Sequence, residues 1–143
     1  MIEAAKAPVA ALTMVRGEDF FLKRWLAYYR QFLPDEHIYV LNHGGDPEVA
    51  EIARGVNVIS LPYDETKRNV NQRRWQILSL FTSGLTQFYN WVICNDIDEL
   101  VVLDPDHGTN LVDYLMERRA ADRVPQVLIP FAVEMVHVPE LEP

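Results

Sequence analysis

The sequence contains one cysteine, Cys94, and therefore cannot form an internal disulfide. Nothing in this cysteine usage points to an oxidising compartment, so we expect a cytoplasmic protein. Basic residues are also scarce, because 13 Lys and Arg stand against 21 Asp and Glu and give a formal net charge of −8. A negative net charge opposes binding to nucleic acid through the overall field of the protein, and we expect no nucleic-acid partner.

The chain also lacks an uninterrupted apolar run of the length that crosses a bilayer. Residues 77–94 carry no charge, but Ser, Thr, Gly, Gln and Asn interrupt them, whereas a spanning helix needs about 20 mainly apolar residues. Residues 7–15 are apolar and follow Lys6, yet no pattern of small residues typical of signal-peptide cleavage follows them. We therefore expect no membrane span, and we interpret the second stretch as a buried first strand.

The apolar content is sufficient for one core. Of the 143 residues, 49% are hydrophobic and 10% aromatic, which excludes a disordered chain, and 24% are charged, as is usual in globular proteins. Because domains commonly contain about 100 to 150 residues, we expect residues 1–143 to form a single domain.

Short apolar runs alternate with amphipathic segments along the chain. This alternation predicts an α/β fold with a mostly parallel sheet covered by helices on both faces, which is a three-layer α/β/α, Rossmann-like domain. Ligands of such sheets bind beyond the carboxyl ends of the strands, so the loops after the first four strands are candidate sites. The predicted strands are 9–15, 37–41, 56–61, 88–94 and 126–131, and the predicted helices are 18–33, 48–54, one capped by Asn69 or Asn71, and 109–120.

The first candidate site is the acidic motif Asp96-x-Asp98-Glu99, which follows the fourth predicted strand. Successive side chains of an extended chain alternate, so the two aspartates can leave the strand end on the same side. Their mutual repulsion would be relieved by a divalent cation, and carboxylate oxygens suit Mg²⁺ or Mn²⁺. The alternative interpretation is a solvated acidic loop.

The second candidate site is a basic cluster, Lys67, Arg68, Arg73 and Arg74, at the start of the third predicted helix. Cations oppose the helix dipole at this end, so the cluster does not serve helix stability. Exposed backbone N–H groups together with Lys or Arg are suited to a phosphate. The alternative is a solvated basic face. Taken together, the acidic and basic clusters predict a site for a cation-bound diphosphate.

Three segments resemble the nucleotide-binding half of GT-A glycosyltransferases, most closely the family 2-like and family 92-like group. In that group an acidic residue precedes a first helix that contains Trp, and an Asp-x-Asp-Glu motif follows the fourth strand. The segments are Val-Arg-Gly-Glu-Asp-Phe-Phe-Leu-Lys-Arg-Trp-Leu-Ala-Tyr-Tyr at 15–29, Leu-Asn-His-Gly at 41–44, and Trp-Val-Ile-Cys-Asn-Asp-Ile-Asp-Glu-Leu at 91–100.

The resemblance implies a metal-dependent glycosyltransferase that binds a nucleotide-diphosphate sugar and transfers the sugar to an unknown glycan, lipid or protein acceptor. It implies that Asp96 lies near the ribose and that Asp98 holds Mn²⁺ or Mg²⁺ on the diphosphate, with Asp96 also in the metal site. Glu99 would hold these two residues in position without binding the ligand itself. The remaining nucleotide-sugar-binding residues that it implies are Arg16 and Glu18 at the base and ribose, and Asp64, Arg68 and Gln72 around the nucleotide.

The resemblance also implies parts that this sequence does not supply. In the family, the acceptor site and the catalytic base of inverting members come from a segment after the acidic motif, and few residues follow Asp98 here. We therefore expect most of the acceptor-binding half to be missing and leave the catalytic residue unassigned. Glu134 and His137 are the acid-base candidates of the last segment, although a structural or surface role is the simpler expectation for both.

Two other functions are alternatives. A non-catalytic nucleotide-binding or interaction domain would keep the fold without turnover. A phosphatase similar to the haloacid dehalogenases would use Asp96 as nucleophile and Asp98 as acid, but it would need a later lysine, and none follows Lys67. The other reactive or aromatic residues are expected to be structural, with His43 and His107 in exposed turns and Cys94, Trp25, Trp75 and Trp91 in the core.

Overall fold

A four-stranded parallel sheet lies at the centre of the protein. We describe the protein from a computed structural model, and the described residues are 5–63, 69–121 and 133–137. The strand order is β3-β2-β1-β4, and all three neighbouring pairs are parallel. The strands are β1 (Ala7–Val15), β2 (Ile38–His43), β3 (Asn57–Leu61) and β4 (Tyr89–Cys94).

Within the described residues, four α-helices connect and follow these strands. Asp46 caps the second helix by accepting a hydrogen bond from the Glu48 backbone N–H at 2.9 Å, and Pro47 fits the first helical position. None of the helices in the described ranges is long and apolar enough to cross a bilayer. The helices are α1 (Asp19–Tyr29), α2 (Pro47–Ile52), α3 (Val70–Leu85) and α4 (Leu111–Ala121), and a short antiparallel pair joins β5 (Glu99–Leu100) to β6 (Val133–Glu134).

The side chains of β1 enter two different hydrophobic clusters. Val9, Ala11 and Val15 pack in the cluster that contains residues of α1, α2 and α4. Leu12 and Met14 pack in a second cluster with residues of α3. Successive side chains of a strand alternate in direction, which is why neighbouring residues of β1 belong to different clusters. The predicted α/β fold with a parallel sheet flanked by helices is confirmed.

The stripe of α3 that packs on the sheet differs from the predicted one. Trp75 was expected in the core, but it is 52% exposed, whereas Leu78 is 1% exposed. The side chains that pack on the sheet are Ile77, Leu78, Phe81 and Leu85. Because each residue turns the helix by about 100°, a stripe centred on these residues continues to Arg74 at its N-terminal end and leaves Trp75 to one side.

The remaining predicted elements agree with the structure within a few residues, with two qualifications. The fifth predicted strand, 126–131, lies outside the described residues. Asn69 is the N-cap residue of α3, as one of the two predicted alternatives had it, but its side chain makes no capping hydrogen bond.

The strand order identifies the edge of the sheet where a ligand is expected. The chain adds β2 and then β3 on one side of β1, and it later adds β4 on the other side. The direction of winding therefore reverses between β1 and β4, and crevices outside the carboxyl ends of parallel strands form at such a reversal. The residues after Val15 and after Cys94 border this crevice.

Candidate functional site

A cavity of about 280 Å³ lies at the carboxyl ends of β1 and β4. It contains four of the residues that the resemblance assigned to the nucleotide-sugar and metal site, namely Arg16, Glu18, Asp96 and Asp98. The loops after two neighbouring strands therefore bring these side chains to one place, as the topology requires. The other residues that line the cavity are Met14, Val15, His43, Arg74 and Ile97.

The loop after β1 turns sharply at Gly17. This residue has a φ of +67°, which is a conformation that glycine adopts at little cost and other residues adopt rarely. The Asp19 backbone N–H donates to the Gly17 carbonyl at 3.0 Å, and α1 begins directly afterwards. The turn places Arg16 and Glu18 on either side of Gly17 at the cavity mouth.

The two aspartates reach the cavity through a turn rather than through an extended chain. The Glu99 backbone N–H donates to the Asp96 carbonyl at 3.1 Å, which closes the turn. Ile97 is 4% exposed and packs in the core between them. The expectation that both carboxylates lie on one side is confirmed, but the extended geometry from which it was argued is wrong, because the strand ends at Cys94.

Asn95 fixes the start of this turn through its side chain. Its Oδ1 accepts a hydrogen bond from Trp25 Nε1 at 3.2 Å, and its Nδ2 donates to Tyr29 Oη at 3.0 Å and to the Glu99 carbonyl at 2.7 Å. Trp25 and Tyr29 are fully buried in α1. The first helix therefore holds the residue that immediately precedes the acidic motif.

The backbone of Asn95 is also anchored. The hydroxyl of Thr13, a buried residue of β1, donates to the Asn95 carbonyl at 3.0 Å. Tyr29 Oη accepts a further hydrogen bond from the Val101 backbone N–H at 3.1 Å, so the chain is held on both sides of the motif. Hydrogen bonds to buried polar groups of this kind specify one local geometry, because leaving any of them unmade is costly.

Arg74 forms an ion pair with the first aspartate of the motif. Its Nη2 lies 2.6 Å from Asp96 Oδ1, and the two side chains are 26% and 32% exposed. The stripe of α3 that packs on the sheet determines this contact, because Arg74 lies at the N-terminal end of that stripe. The pair joins α3 to the loop after β4.

The carboxylates of the cavity are close enough to affect one another. The pKa of Glu18 is raised, chiefly by desolvation and next by the charge of Asp98, with a smaller contribution from Asp96 in the same direction. Arg74 opposes this rise. Three carboxylates and at least one guanidinium therefore share the same small volume.

His43 is an uncharged member of the site at neutral pH. Its pKa is lowered from 6.5, first by burial and then by the positive charges of Arg16 and Arg74. A neutral imidazole presents one donor and one acceptor nitrogen. The sequence had placed His43 in an exposed turn, but it is the last residue of β2 and is half-buried.

A second cavity of about 410 Å³ adjoins the first, with which it shares Met14, His43 and Arg74. Its distinctive feature is a stacked pair, because the Arg16 guanidinium lies 3.5 Å from the centroid of the Tyr63 ring. The His43 ring lies 5.7 Å from the same ring, centroid to centroid. The remaining lining residues are mostly apolar: Leu61, Pro62, Tyr63, Val70, Arg73 and Ile77.

The carboxylates suit a divalent cation only if a ligand supplies further oxygens. Within the described residues, no group of three His, Cys, Asp or Glu side chains is arranged to hold a metal ion. Mg²⁺ is commonly held by one or two carboxylates together with phosphate oxygens and water, so Asp96 and Asp98 fit a cation that arrives with a diphosphate.

Three further residues were predicted to bind the nucleotide. Asp64 and Arg68 fall outside the described residues. Gln72 is exposed and is not among the described residues that line either cavity. Residues two apart on a helix point about 200° apart, so the orientation that brings Arg74 to the site turns Gln72 away from it.

Three other residues carry reactive side chains: Glu134, His137 and Cys94. Glu134 pairs with Glu99 between β5 and β6, and the His137 ring stacks on Phe20 with the centroids 3.7 Å apart. Burial raises the pKa of the Cys94 thiol, which fits the expected packing role of this residue in β4. None of the three is among the described residues that line the cavities.

Two residues of the site, His43 and Tyr63, were given no binding role from the sequence, and Arg74 was predicted only as a member of the basic cluster suited to a phosphate. Arg74 had a visible signal, since it belonged to the basic cluster and lay three residues before Ile77. His43 ends β2 and Tyr63 follows β3 at the same sheet edge, but only the folded chain shows which side chains turn inward.

No protein-family model matches this chain, and no curated protein matches it either.

Proposed function

We propose that this domain binds a nucleotide-diphosphate sugar together with Mn²⁺ or Mg²⁺ and serves glycosyl transfer. The observation that carries the proposal is the cavity at the reversal of strand order, where Glu18, Asp96 and Asp98 lie with Arg16 and Arg74. In this proposal the helices form outer layers on both faces of the sheet, in the three-layer arrangement of GT-A domains.

The carboxylates form the cation side of the proposed site. Asp98, which has no ion pair among those of the described residues, would bind the cation, and Asp96 would lie beside the ribose and the cation. A cation bound here would neutralise the diphosphate as a leaving group. The role of the protein is to hold the two carboxylates in a fixed turn, which the hydrogen bonds of Asn95 support.

The second cavity would receive the nucleobase. Its apolar lining favours a flat ring, and the stacked pair of Arg16 and Tyr63 provides a planar surface at its edge. His43, neutral at pH 7, lies at the junction of the two cavities and could donate or accept one hydrogen bond. A nucleotide would therefore extend from the apolar cavity to the carboxylates.

The start of α3 would face the diphosphate. Arg73 and Arg74 line the cavities there, and the side chain of Asn69 makes no capping hydrogen bond to the first backbone N–H groups of the helix. Backbone N–H groups and guanidiniums are favourable partners for phosphate oxygens. The acceptor of the sugar would be a glycan, a lipid or a protein.

A non-catalytic nucleotide-binding domain is the second candidate function. It is favoured by one observation, that the acid-base candidates Glu134 and His137 are not among the described residues lining the cavities. A phosphatase of the haloacid dehalogenase type has less support, because it would need a lysine in the site and none is among the described lining residues.

Calorimetric titration tests the proposal. The protein is titrated with UDP, GDP, CDP and dTDP and with their sugars, in the presence of Mn²⁺ and in the presence of a chelator. We expect metal-dependent binding of one nucleotide and its sugar. Binding followed by release of the free nucleotide with an added acceptor separates a transferase from a binding domain. Failure of all the nucleotides to bind would refute both.

A further inference from the structure

The ion pair between Arg74 and Asp96 neutralises a carboxylate that the proposed donor site would offer to a cation. The two atoms Nη2 and Oδ1 are 2.6 Å apart, which is the range of a strong charge-assisted hydrogen bond. Neither side chain is more than a third exposed, so water screens the pair only in part.

We propose that Arg74 competes with the divalent cation for Asp96 and that the diphosphate relieves this competition by drawing the guanidinium onto its own oxygens. Binding of the cation thereby depends on binding of the nucleotide. This inference rests on the proposed function, and it adds that the cation binds well only when the nucleotide is bound. Arg74 is in this account a positioning residue for Asp96.

The location of Arg74 supports a transfer between two anionic partners. It lines both cavities, so it lies between the carboxylates and the apolar space proposed for the base. The diphosphate of a nucleotide that spans the two cavities would pass beside it. A guanidinium carries five N–H donors in a planar fork, and one of them is used by Asp96. The remaining donors match the oxygens of a phosphate in a bidentate manner.

The charges of the cavity favour the cation and the diphosphate as a pair. Glu18, Asp96 and Asp98 stand against two guanidiniums, those of Arg16 and Arg74, while His43 is neutral at pH 7. The three carboxylates exceed the two guanidiniums by only one charge, so a divalent cation alone is attracted weakly and is repelled by the two positive groups beside its ligands. A cation that arrives with a diphosphate brings as much negative as positive charge, and the repulsion is largely cancelled.

The expected signature is positive coupling between the two ligands. If the nucleotide raises the affinity for the cation by some factor, then the cation must raise the affinity for the nucleotide by the same factor. Coupling of this kind is typically about 5- to 150-fold, and Arg74 would carry a large part of it.

The test compares the parent protein with Arg74→Gln, Arg74→Lys and the control Arg54→Gln. Arg54 is exposed and pairs with Glu51 at 2.6 Å, so its variant removes the same charge elsewhere on the surface. Two affinities are measured for each protein: that for Mn²⁺ alone, from the free ion in electron paramagnetic resonance, and that for UDP, GDP, CDP or dTDP in chelator, by calorimetry, using the nucleotide that the parent binds.

Arg74→Gln should bind Mn²⁺ alone more tightly than the parent and the nucleotide in chelator more weakly, each by about 5-fold or more. A merely structural role would weaken both affinities. Arg74→Lys should keep the weak Mn²⁺ affinity of the parent, because it keeps the charge, and Arg54→Gln should change neither affinity.

An Arg74→Gln variant with unchanged or weaker Mn²⁺ affinity, in a parent that binds metal and nucleotide, would overturn this inference and leave the proposed function standing. A parent that binds no nucleotide, with or without Mn²⁺, would overturn the proposed function and the inference with it.

Discussion

Trp25 Nε1 donates a hydrogen bond to Asn95 Oδ1 at 3.2 Å, and this bond joins the core of the first helix to the start of the acidic motif. Both residues are buried, with Trp25 at 0% and Asn95 at 8% exposure. The contact explains why a Trp in α1 and an Asn before the motif belong to one structural unit although they are 70 residues apart. This hydrogen bond therefore helps to fix the position of the carboxylates of the site.

Asn95→Ala should therefore lower both stability and nucleotide affinity. The substitution removes the acceptor of Trp25 Nε1 and the side-chain donor to the Glu99 carbonyl, while Tyr29 Oη loses one of its two donors. Loss of a buried hydrogen-bond partner costs about 1 to 3 kcal/mol for each group left unsatisfied. Urea unfolding measures the stability, and calorimetry measures the affinity.

The matched control is Asn90→Ala. Asn90 belongs to β4, and its Nδ2 contacts are weak, at 3.5 Å to the Lys6 carbonyl and 3.9 Å to Met116 Sδ. We expect a small stability change and an unaltered nucleotide affinity. If Asn95→Ala matched this control in both measurements, the role of Asn95 in holding the motif would be wrong.

Tyr63→Ala should weaken nucleotide binding through loss of a stacking surface. Stacking of a base on an aromatic side chain is worth about 1 to 3 kcal/mol, so we expect the affinity for the nucleotide to fall by about 5- to 150-fold. Inorganic pyrophosphate with Mn²⁺ lacks a base, and its affinity should not change. Equal loss for pyrophosphate and nucleotide would contradict the assignment of the apolar cavity to the base.

The raised pKa of Tyr29 predicts that the protein loses stability at alkaline pH. Desolvation by burial raises its pKa from 10.0 to about 12. Between these values the unfolded chain releases the proton while the folded chain retains it, so the free energy of unfolding falls as the pH rises. The contribution is fully present below pH 10 and amounts to about 2 to 3 kcal/mol over the whole shift.

Urea unfolding at about pH 9 and about pH 11 measures this effect. Tyr29→Phe should show a smaller fall in stability between the two pH values than the parent, because it has no phenol to ionise. Tyr63→Phe, which removes a phenol that is 44% exposed, is the control. A parent and a Tyr29→Phe variant with the same pH dependence would exclude Tyr29 as its source.

The sequence was sufficient to predict the sheet and its helices because periodicity reports burial. The apolar run of β1 and the alternation of elements required a parallel sheet, and the carboxyl ends of its strands then marked the site. Asp96 and Asp98 were predicted as one site from their position after a strand, whereas Arg16 and Glu18 were assigned to that site only through the resemblance to GT-A glycosyltransferases.

The details that periodicity does not determine were missed. Trp75 and Arg74 differ by one position on α3, and a rotation of about 100° separates an exposed side chain from one in the site. A pattern of apolar residues broad enough to include both positions cannot choose between them. His43 and Tyr63 lie at or just after the end of a strand, where turn residues are common. Only tertiary packing turns their side chains toward Arg16 and Arg74.

The most direct test of the central claim is the metal dependence of nucleotide binding in Asp98→Asn. This variant keeps the shape of the side chain and removes the charge that the proposed cation would bind, and Asp106→Asn removes a charge from an exposed loop as its control. We predict that Mn²⁺ strengthens nucleotide binding in the parent and in Asp106→Asn but not in Asp98→Asn. Equal strengthening by Mn²⁺ in all three proteins would contradict it.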